Sequence, residues 1–380
     1  MRNGHVLQSP RAFIGVVVAL YVVCLMRLVC AQKRTMNVHV NLDDGKILND
    51  SDTSFRTASA EKQYESEPKS KGYISKRASY EYREAGSGCM RQNAYLAARF
   101  PGATRSKLQR DWALVAPESR VFGFVPAFTN VVGANVISPA MNGAHFSMYV
   151  VMALQNSAVR GIGSGSEAGN ERFIFVLEGA LQVEFPEDKD STCNRKSRVL
   201  LRQNTSSPDD RIFTLLPGGF VYLPPRCEAI MTSGMAFNNT CSFVVLDRVY
   251  APSSDNVADL PLAVLGAEAD VPVEPVPGEM FMLRRLLPQT PDYDFNFHVM
   301  DYEPGEYLNA KEMHYNQHGL LMLEGQGIYR LADEWFPVAA GDVIYMGPFV
   351  PQWYAALGHK RSRYLLYKDT ARDPLRMFSH

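Results

Sequence analysis

Three side chains able to bind a divalent metal fall within seven residues: Glu312, His314 and His318. Imidazole and carboxylate together suit transition metals. No cysteine lies among them, so a thiolate structural zinc site is not indicated. Two local foldings compete. On a helix His314 and His318 share a face at their four-residue spacing, but Glu312 points about 200° away from His314. On a strand Glu312 and His314 share a face at period two, and a bend over 315–317 can bring His318 back to the same point. The apolar run after His318 is broken at Gly325 and Gly327, which favours strands and turns. Only the strand arrangement uses all three ligands. It is not the His-Glu-x-x-His pattern of helical zinc proteases, because Tyr315 follows His314.

A second chemical feature lies downstream. In the run from Arg363 to Asp369, period two puts Tyr364, Leu366 and Lys368 on one face. If that face looks toward the metal residues, an ammonium faces a bound cation, and burial and the cation both lower its pKa. The bland alternative is a strand-end lysine paired with Asp369 or solvent. Arg361 and Arg363 fall on the opposite face, where surface or subunit contacts are expected, and Arg330 is a further side chain of the carboxylate-clamp type.

The elements that must position these residues read as strands. From Leu108 onward short apolar runs alternate with Gly, Pro and Asn turns, which is an all-β pattern. An internal repeat is visible. Leu177-Glu178-Gly179 matches Leu323-Glu324-Gly325, and the run from Gly219 to Pro225 matches that from Gly341 to Pro348. Between its landmarks the first copy carries a polar insertion, residues 186–210, expected as a surface loop. A Pro- and Ala-rich stretch over 252–277 connects the copies. Counted back from Gly179, the first copy holds Ser166, Ala168 and Arg172 where the second holds its metal residues, with Ile230 near the last position. That is no ligand set, so the first copy is expected to be chemically silent, and Glu171 and His145 nearby read as isolated structural residues.

These residues resemble the two motifs of the cupin barrels. The first motif asks for Gly, five residues, His-x-His, three or four residues, Glu, six residues and Gly. Gly305 (one residue early) and Gly325 take the glycine positions, Glu312 and His314 the two His positions, and His318 the Glu position. In the second motif Gly341 begins and Gln352 stands in the His position. Gly347 replaces the motif's Pro and Phe349 its Gly. The substituted set Glu312, His314, His318 and Gln352 is similar to that of the plant (S)-ureidoglycine aminohydrolases. The phrases around His314–His318, Val350–Gly358 and Arg361–Asp369 resemble them too, within a resemblance covering 108–375. It implies an all-β bicupin, two double-stranded β-helix (jelly-roll) barrels. It also implies Mn(2+) on Glu312, His314, His318 and Gln352, and (S)-ureidoglycine as small-molecule substrate. By the same resemblance, substrate contacts are expected from Glu312, Tyr329, Tyr364 and Lys368, with Lys368 and Glu312 in catalysis. The family further implies ammonia release in purine and allantoin catabolism, residence in the endoplasmic reticulum lumen, and a homo-oligomer. For Tyr329 and Tyr364 core packing is the competing role. Another metal cupin, an oxygenase or oxalate-type enzyme, and a storage or binding bicupin remain as alternatives of other classes. The first generally keeps His where Glu312 and Gln352 stand, and the second usually loses the ligands from both copies.

Composition bounds the rest. The chain has 380 residues and a net charge of −1 from 39 basic and 40 acidic residues, which gives no reason to expect nucleic-acid binding. Arg2 and Arg11 precede an uncharged, mostly apolar run over 12–26, closed by Arg27. Fifteen residues fall short of the ~20 a spanning helix needs, and Val29-Cys30-Ala31 offers a cleavage site. Residues 1–31 are thus expected as a secretory signal, leaving no membrane segment after cleavage. Polar, poorly periodic residues 32–90 are expected as a disordered linker. An N-terminal barrel over 91–255 and a C-terminal barrel over 270–376 follow. Cys89, Cys193, Cys227 and Cys241 would remain after cleavage, and the sequence does not choose a disulfide pair among them. Asn49, Asn204 and Asn238 sit in glycosylation sequons.

Overall fold

The computed structural model describes residues 104–141, 143–153, 169–185, 193, 198–201, 211–233, 241–251 and 260–370. The expected signal and linker, Cys24, Cys30, Cys89, Ser166, Ala168 and the three sequon asparagines lie outside these residues. The described strands open with β1 (Lys107–Leu108), β2 (Trp112–Val115), β3 (Val131–Ile137), β4 (Phe146–Ala153), β5 (Asn170–Glu178), β6 (Leu181–Glu184) and β7 (Arg198–Leu201). Then come β8 (Ile212–Leu215), β9 (Gly219–Leu223), β10 (Ile230–Ser233), β11 (Cys241–Val249), β12 (Ala263–Ala267), β13 (Glu274–Pro275) and β14 (Met282–Arg285). The last are β15 (Phe295–Tyr302), β16 (His318–Glu324), β17 (Gln326–Leu331), β18 (Glu334–Ala339), β19 (Val343–Met346), β20 (Gln352–Leu357) and β21 (Ser362–Asp369).

They build four stacked sheets. A small sheet β10-β6-β8 lies on the seven-stranded sheet β3-β4-β11-β5-β9-β12-β7, and the small sheet β18-β17-β20 lies on the eight-stranded sheet β1-β2-β19-β16-β21-β15-β14-β13. The two large sheets pack against each other, joined by Phe146, Phe173 and Phe220 from one side and Phe297, Leu321, Leu365 and Tyr367 from the other. Phe173 stacks on Phe297 at 4.0 Å between ring centres. Separate cores fill the N-terminal half, around Ile174, Val221 and Phe243, and the C-terminal half, around Met300, Leu320, Tyr329 and Tyr354. This layering explains the sequence patterns. Strands β5, β15 and β16 lie between two cores and are buried almost throughout. Strands β6 and β17 have one wet face and alternate.

The repeat is real in space: the turns at Gly179 and Gly325 both have positive φ, 79° and 72°. Two segments outside the repeated runs complete the large sheets. Strand β2 pairs with β19, so the segment before the first copy extends the sheet of the second. Strand β12, from the expected connection, pairs with β9 and β7 and completes the first sheet. Strand β7 itself falls inside the expected surface loop. Both segments supply backbone donors and acceptors that would otherwise leave a sheet edge unpaired. Cys193 and Cys227 form a disulfide with a Cα–Cα distance of 5.2 Å. Cys241 is a buried free thiol whose pKa is pushed up to about 12, mainly by burial. No helix among the described residues is long and apolar enough to cross a membrane.

Candidate active site

Lys368 and His318 face each other across adjacent strands, β21 and β16. On β15, Phe295, Phe297 and Val299 pack toward the N-terminal half. By alternation, residues 296, 298, 300 and 302 turn the other way, into the C-terminal barrel. Partners across β15, β21, β16 and β19 then form rows on that inner face. The first row is Asn296, Lys368, His318 and Met346. The next is His298, Leu366, Leu320 and Ile344, and the third begins Met300, Tyr364 and Met322.

The other ligands come from the segment ahead of β16 and from the opposite sheet. Glu312 and Gln352 are held side by side by two backbone bonds, Glu312 N to Gln352 O at 2.9 Å and Gln352 N to Glu312 O at 3.0 Å. His314 follows two residues later, and its carbonyl accepts from Phe349 N at 2.7 Å. The strand-and-bend folding is therefore the one adopted. Phe349, in the motif's glycine position, takes φ 61°, the left-handed region that glycine fills without strain. Gly347 donates its N–H to Asp111 O at 2.8 Å, which the motif's proline could not do.

The ligand atoms of Glu312, His314 and His318 lie within 4.8 Å of one another. His314 Nε2 is 3.2 Å from His318 Nε2, 3.2 Å from Gln352 Nε2 and 3.8 Å from Glu312 Oε2. Atoms about 2.1 Å from one ion, at right angles, are about 3 Å apart. His318 Nδ1 donates to Tyr367 O at 3.2 Å, which leaves its Nε2 as a lone pair aimed at the site. Two imidazole nitrogens and a carboxylate thus converge on one point, and a divalent cation fits that donor set. Gln352 Oε1 accepts from Tyr329 OH at 3.3 Å. A hydroxyl can also accept, so Tyr329 can partner the amide when its oxygen turns to an ion. Burial, with Lys368 and His314 adding to it, holds the pKa of His318 well below the ordinary value. The contact with His314 lowers that of Glu312 against the opposing effect of burial.

Lys368 is half-buried and makes no hydrogen bond or ion pair among the described residues. Its pKa is lowered chiefly by burial, with Glu312 pulling it back up and Arg285 pushing it down. Asp369 is not its partner, because that carboxylate accepts from Arg248 and Tyr367. Tyr329 and Tyr364 are buried, and burial raises their pKa well above the phenolic value. Tyr364 shares a 2.7 Å hydrogen bond with Tyr302. Tyr302 was not legible as a site neighbour, although alternation along β15 would have placed it there.

Several expectations need correction. Arg363 is not a surface residue: it is 0% exposed and pairs with Glu324 at 2.8 Å, with Asp301 and with Glu268. It does face away from Lys368, but that side of the sheet meets the other half of the molecule, not water. Arg361 is half-buried and bonds Glu324 at 2.9 Å. Glu171 is not isolated. It is 0% exposed, accepts from Tyr222 at 2.7 Å and pairs with Arg248 at 3.3 Å. His145 N donates to the side chain of Gln317, in the ligand loop, at 3.0 Å. Among the described first-copy positions, Arg172 pairs with Asp247 at 2.6 Å and Ile230 is exposed.

Fold and site together define a cupin. A cupin domain model matches residues 298–367. The crystal structure of Ylba from E. coli superposes with a TM-score of 0.55 at 25% identity, covering 71% of this chain and 96% of that one. The "Probable (S)-ureidoglycine aminohydrolase" of Oryza sativa is 46% identical over 275 residues, 72% of this chain and 78% of that protein. The (S)-ureidoglycine aminohydrolase of Arabidopsis thaliana is 46% identical over 276 residues, 72% of this chain and 81% of that protein. The chain belongs to the (S)-ureidoglycine aminohydrolase family and is an enzyme, a hydrolase.

Proposed function

We propose that the protein hydrolyses (S)-ureidoglycine to (S)-ureidoglycolate and ammonia, using Mn(2+) held by Glu312, His314, His318 and Gln352. The observation that carries this reading is an unpaired ammonium, Lys368, in the row of His318 and within the field of Glu312. A carboxylate, two imidazoles and an amide oxygen make a mixed, fairly hard donor set that suits manganese. When bound, the ion supplies Lewis acidity and a fixed point for a chelating substrate.

The chain's own residues supply the proton traffic. The bond from carbon to the α-amine breaks, and water oxygen bonds the same carbon. The amine departs as ammonia with a proton given by Lys368, which recovers one from the attacking water. Burial lowers the pKa of Lys368 toward the range where an ammonium can give up its proton. Tyr329 and Tyr364, kept as neutral phenols, are placed to orient the small polar substrate, and Glu312 contacts both ion and amine. The relatives' names favour this chemistry over oxygenase or oxalate-type reactions.

The reaction serves purine nitrogen recovery after allantoate. The apolar run over 12–26 and the Cys193–Cys227 disulfide support residence in an oxidising compartment, the endoplasmic reticulum lumen. A homo-oligomer is the expected state of a cupin. The test is ammonia release from freshly prepared ureidoglycine by protein stripped of metal and then reloaded with manganese. About one ion per chain should bind, and Glu312→Ala should abolish both binding and turnover. No ammonia from reloaded protein, or two ions per chain, would overturn the reading.

A further inference from the structure

The inner face of the C-terminal barrel carries one more polar side chain with nothing to bond. His298 stands in the second row, opposite Leu366 on β21 and Arg285 on β14. Its neighbour Asn296, on the same face, is consumed by the backbone of Leu287, donating to its carbonyl at 2.8 Å and accepting from its N–H at 3.1 Å. Met300 and Tyr302 belong to the apolar core. His298 makes no hydrogen bond among the described residues and is only 9% exposed. Neither ring nitrogen is sealed off inside the protein, so the imidazole keeps a donor and an acceptor open to whatever occupies the barrel.

Its surroundings specify what would complete it. Lys368 is its diagonal neighbour, one row on, at about 7–8 Å between Cα atoms, and the electrostatic reach of His298 extends to His318. Burial, then the charges of Lys368 and Arg285, hold its pKa down at about 3. The ring is therefore uncharged and faces the site between two cations, of which Arg285 is offset by Glu274. A cationic ligand group is repelled there, while a carboxylate finds better partners in Lys368 or a bound metal. An uncharged group rich in hydrogen bonds is the match. The proposed substrate has one such end, –NH–CO–NH2, and its other polar groups are the carboxylate and the leaving amine.

We infer that His298 receives the ureido group of the substrate and so fixes which end of the molecule lies away from the metal. The inference rests on the proposed function and adds the residue that distinguishes a ureido compound from a plain amino or hydroxy acid. N-carbamoylglycine, the substrate without its reacting amine, and glycolate, which lacks the ureido group, are the probes. Both are titrated calorimetrically into manganese-loaded wild type, His298→Leu and His298→Gln, with metal content and Tm measured alongside.

The expected result is a loss of N-carbamoylglycine affinity of about tenfold or more in His298→Leu, unchanged glycolate affinity, and partial recovery in His298→Gln. KM for ureidoglycine should rise more than kcat falls, with metal content at the wild-type level. Unchanged N-carbamoylglycine affinity in His298→Leu overturns the inference, as does an equal loss for both probes. If His298→Leu does not fold, His298→Phe, which keeps a ring without polar atoms, is scored by the same two affinities. Wild type that neither binds N-carbamoylglycine nor releases ammonia sinks the underlying reading and this one with it.

Discussion

The two halves of the molecule offer the same lattice of positions and fill one spot with opposite chemistry. Seven residues before the matching turn glycines stand Arg172 in the N-terminal half and His318 in the C-terminal half. Across the neighbouring strand Arg172 faces Asp247, and His318 faces Lys368. Arg172 and Asp247 are joined by two contacts of 2.6 and 2.8 Å. Phe128 covers the guanidinium at 4.9 Å. Lys368 has no such counterion, and His318 offers a free lone pair to the site. What separates the two barrels at this position is thus the leftover bonding capacity of the polar residues, since both halves place polar residues there. The N-terminal half still takes part. Gly319, next to His318, has no room for a Cβ, because one would come within 2.8 Å of Phe146. Arg248 reaches from β11 to Asp369 at 2.9 Å and to Tyr367, whose carbonyl holds His318.

The sharpest way to break the contrast is Lys368→Met, which keeps most of the stem and removes the charge. If the unpaired ammonium is what the N-terminal half lacks, turnover should fall about 10²–10⁴-fold with metal content and Tm near wild type. Ammonia release at the wild-type rate would remove Lys368 from the chemistry.

Arg248→Met tests whether the N-terminal half is needed as a support. The guanidinium is fully buried and meets Glu171, Asp294 and Asp369 at 3.3, 3.2 and 2.9 Å. Taking it away leaves the buried Asp294 and Asp369 without that cation and removes a neighbour of Glu171, at a cost of about 3–5 kcal/mol. Because Tyr367 then loses a partner, manganese affinity should also drop, by about 10–100-fold, as for other residues that hold a ligand from behind. Isothermal titration on the folded fraction checks this. A destabilised variant with unchanged metal affinity would show that the two halves are coupled in stability alone.

How much of this was legible in the sequence varies by residue, and for physical reasons. Period two along β21 correctly put Tyr364, Leu366 and Lys368 together, because alternation is a local property of a strand. The same rule put Arg363 on the other face but could not say what lies beyond it. That depends on a second sheet, supplied by residues far away in the chain. Strand β2 joining β19, and β12 closing the first sheet, were hidden for the same reason: their pairings join distant segments without a motif. The metal loop was legible because its three donors are close in sequence. His298 was not, since a single histidine in an alternating run looks like a core residue until its neighbours' bonds are known.

The smallest expected effect concerns Glu171, in the N-terminal half. Burial first, and the nearby Asp294 carboxylate next, raise its pKa well above the ordinary value of about 4.5, outweighing the attraction of Arg248. A carboxyl that gains proton affinity on folding contributes stability that is fully present below its unfolded pKa. That contribution is lost as pH rises toward the folded value. Glu171→Gln mimics the protonated form: its amide oxygen can accept from Tyr222, and its NH2 can donate toward Asp294. The variant should therefore match wild type most closely at acidic pH and gain on it as pH rises. By pH 8 the advantage should reach about 2–4 °C in Tm, on the order of 1 kcal/mol. Turnover and metal content should stay put, because Glu171 touches the site only through Arg248. Melting curves from pH 5 to 8 decide it. A Tm difference that is flat with pH, or that shrinks as pH rises, would mean that Glu171 is ionised in the folded protein and that Arg248 dominates its surroundings.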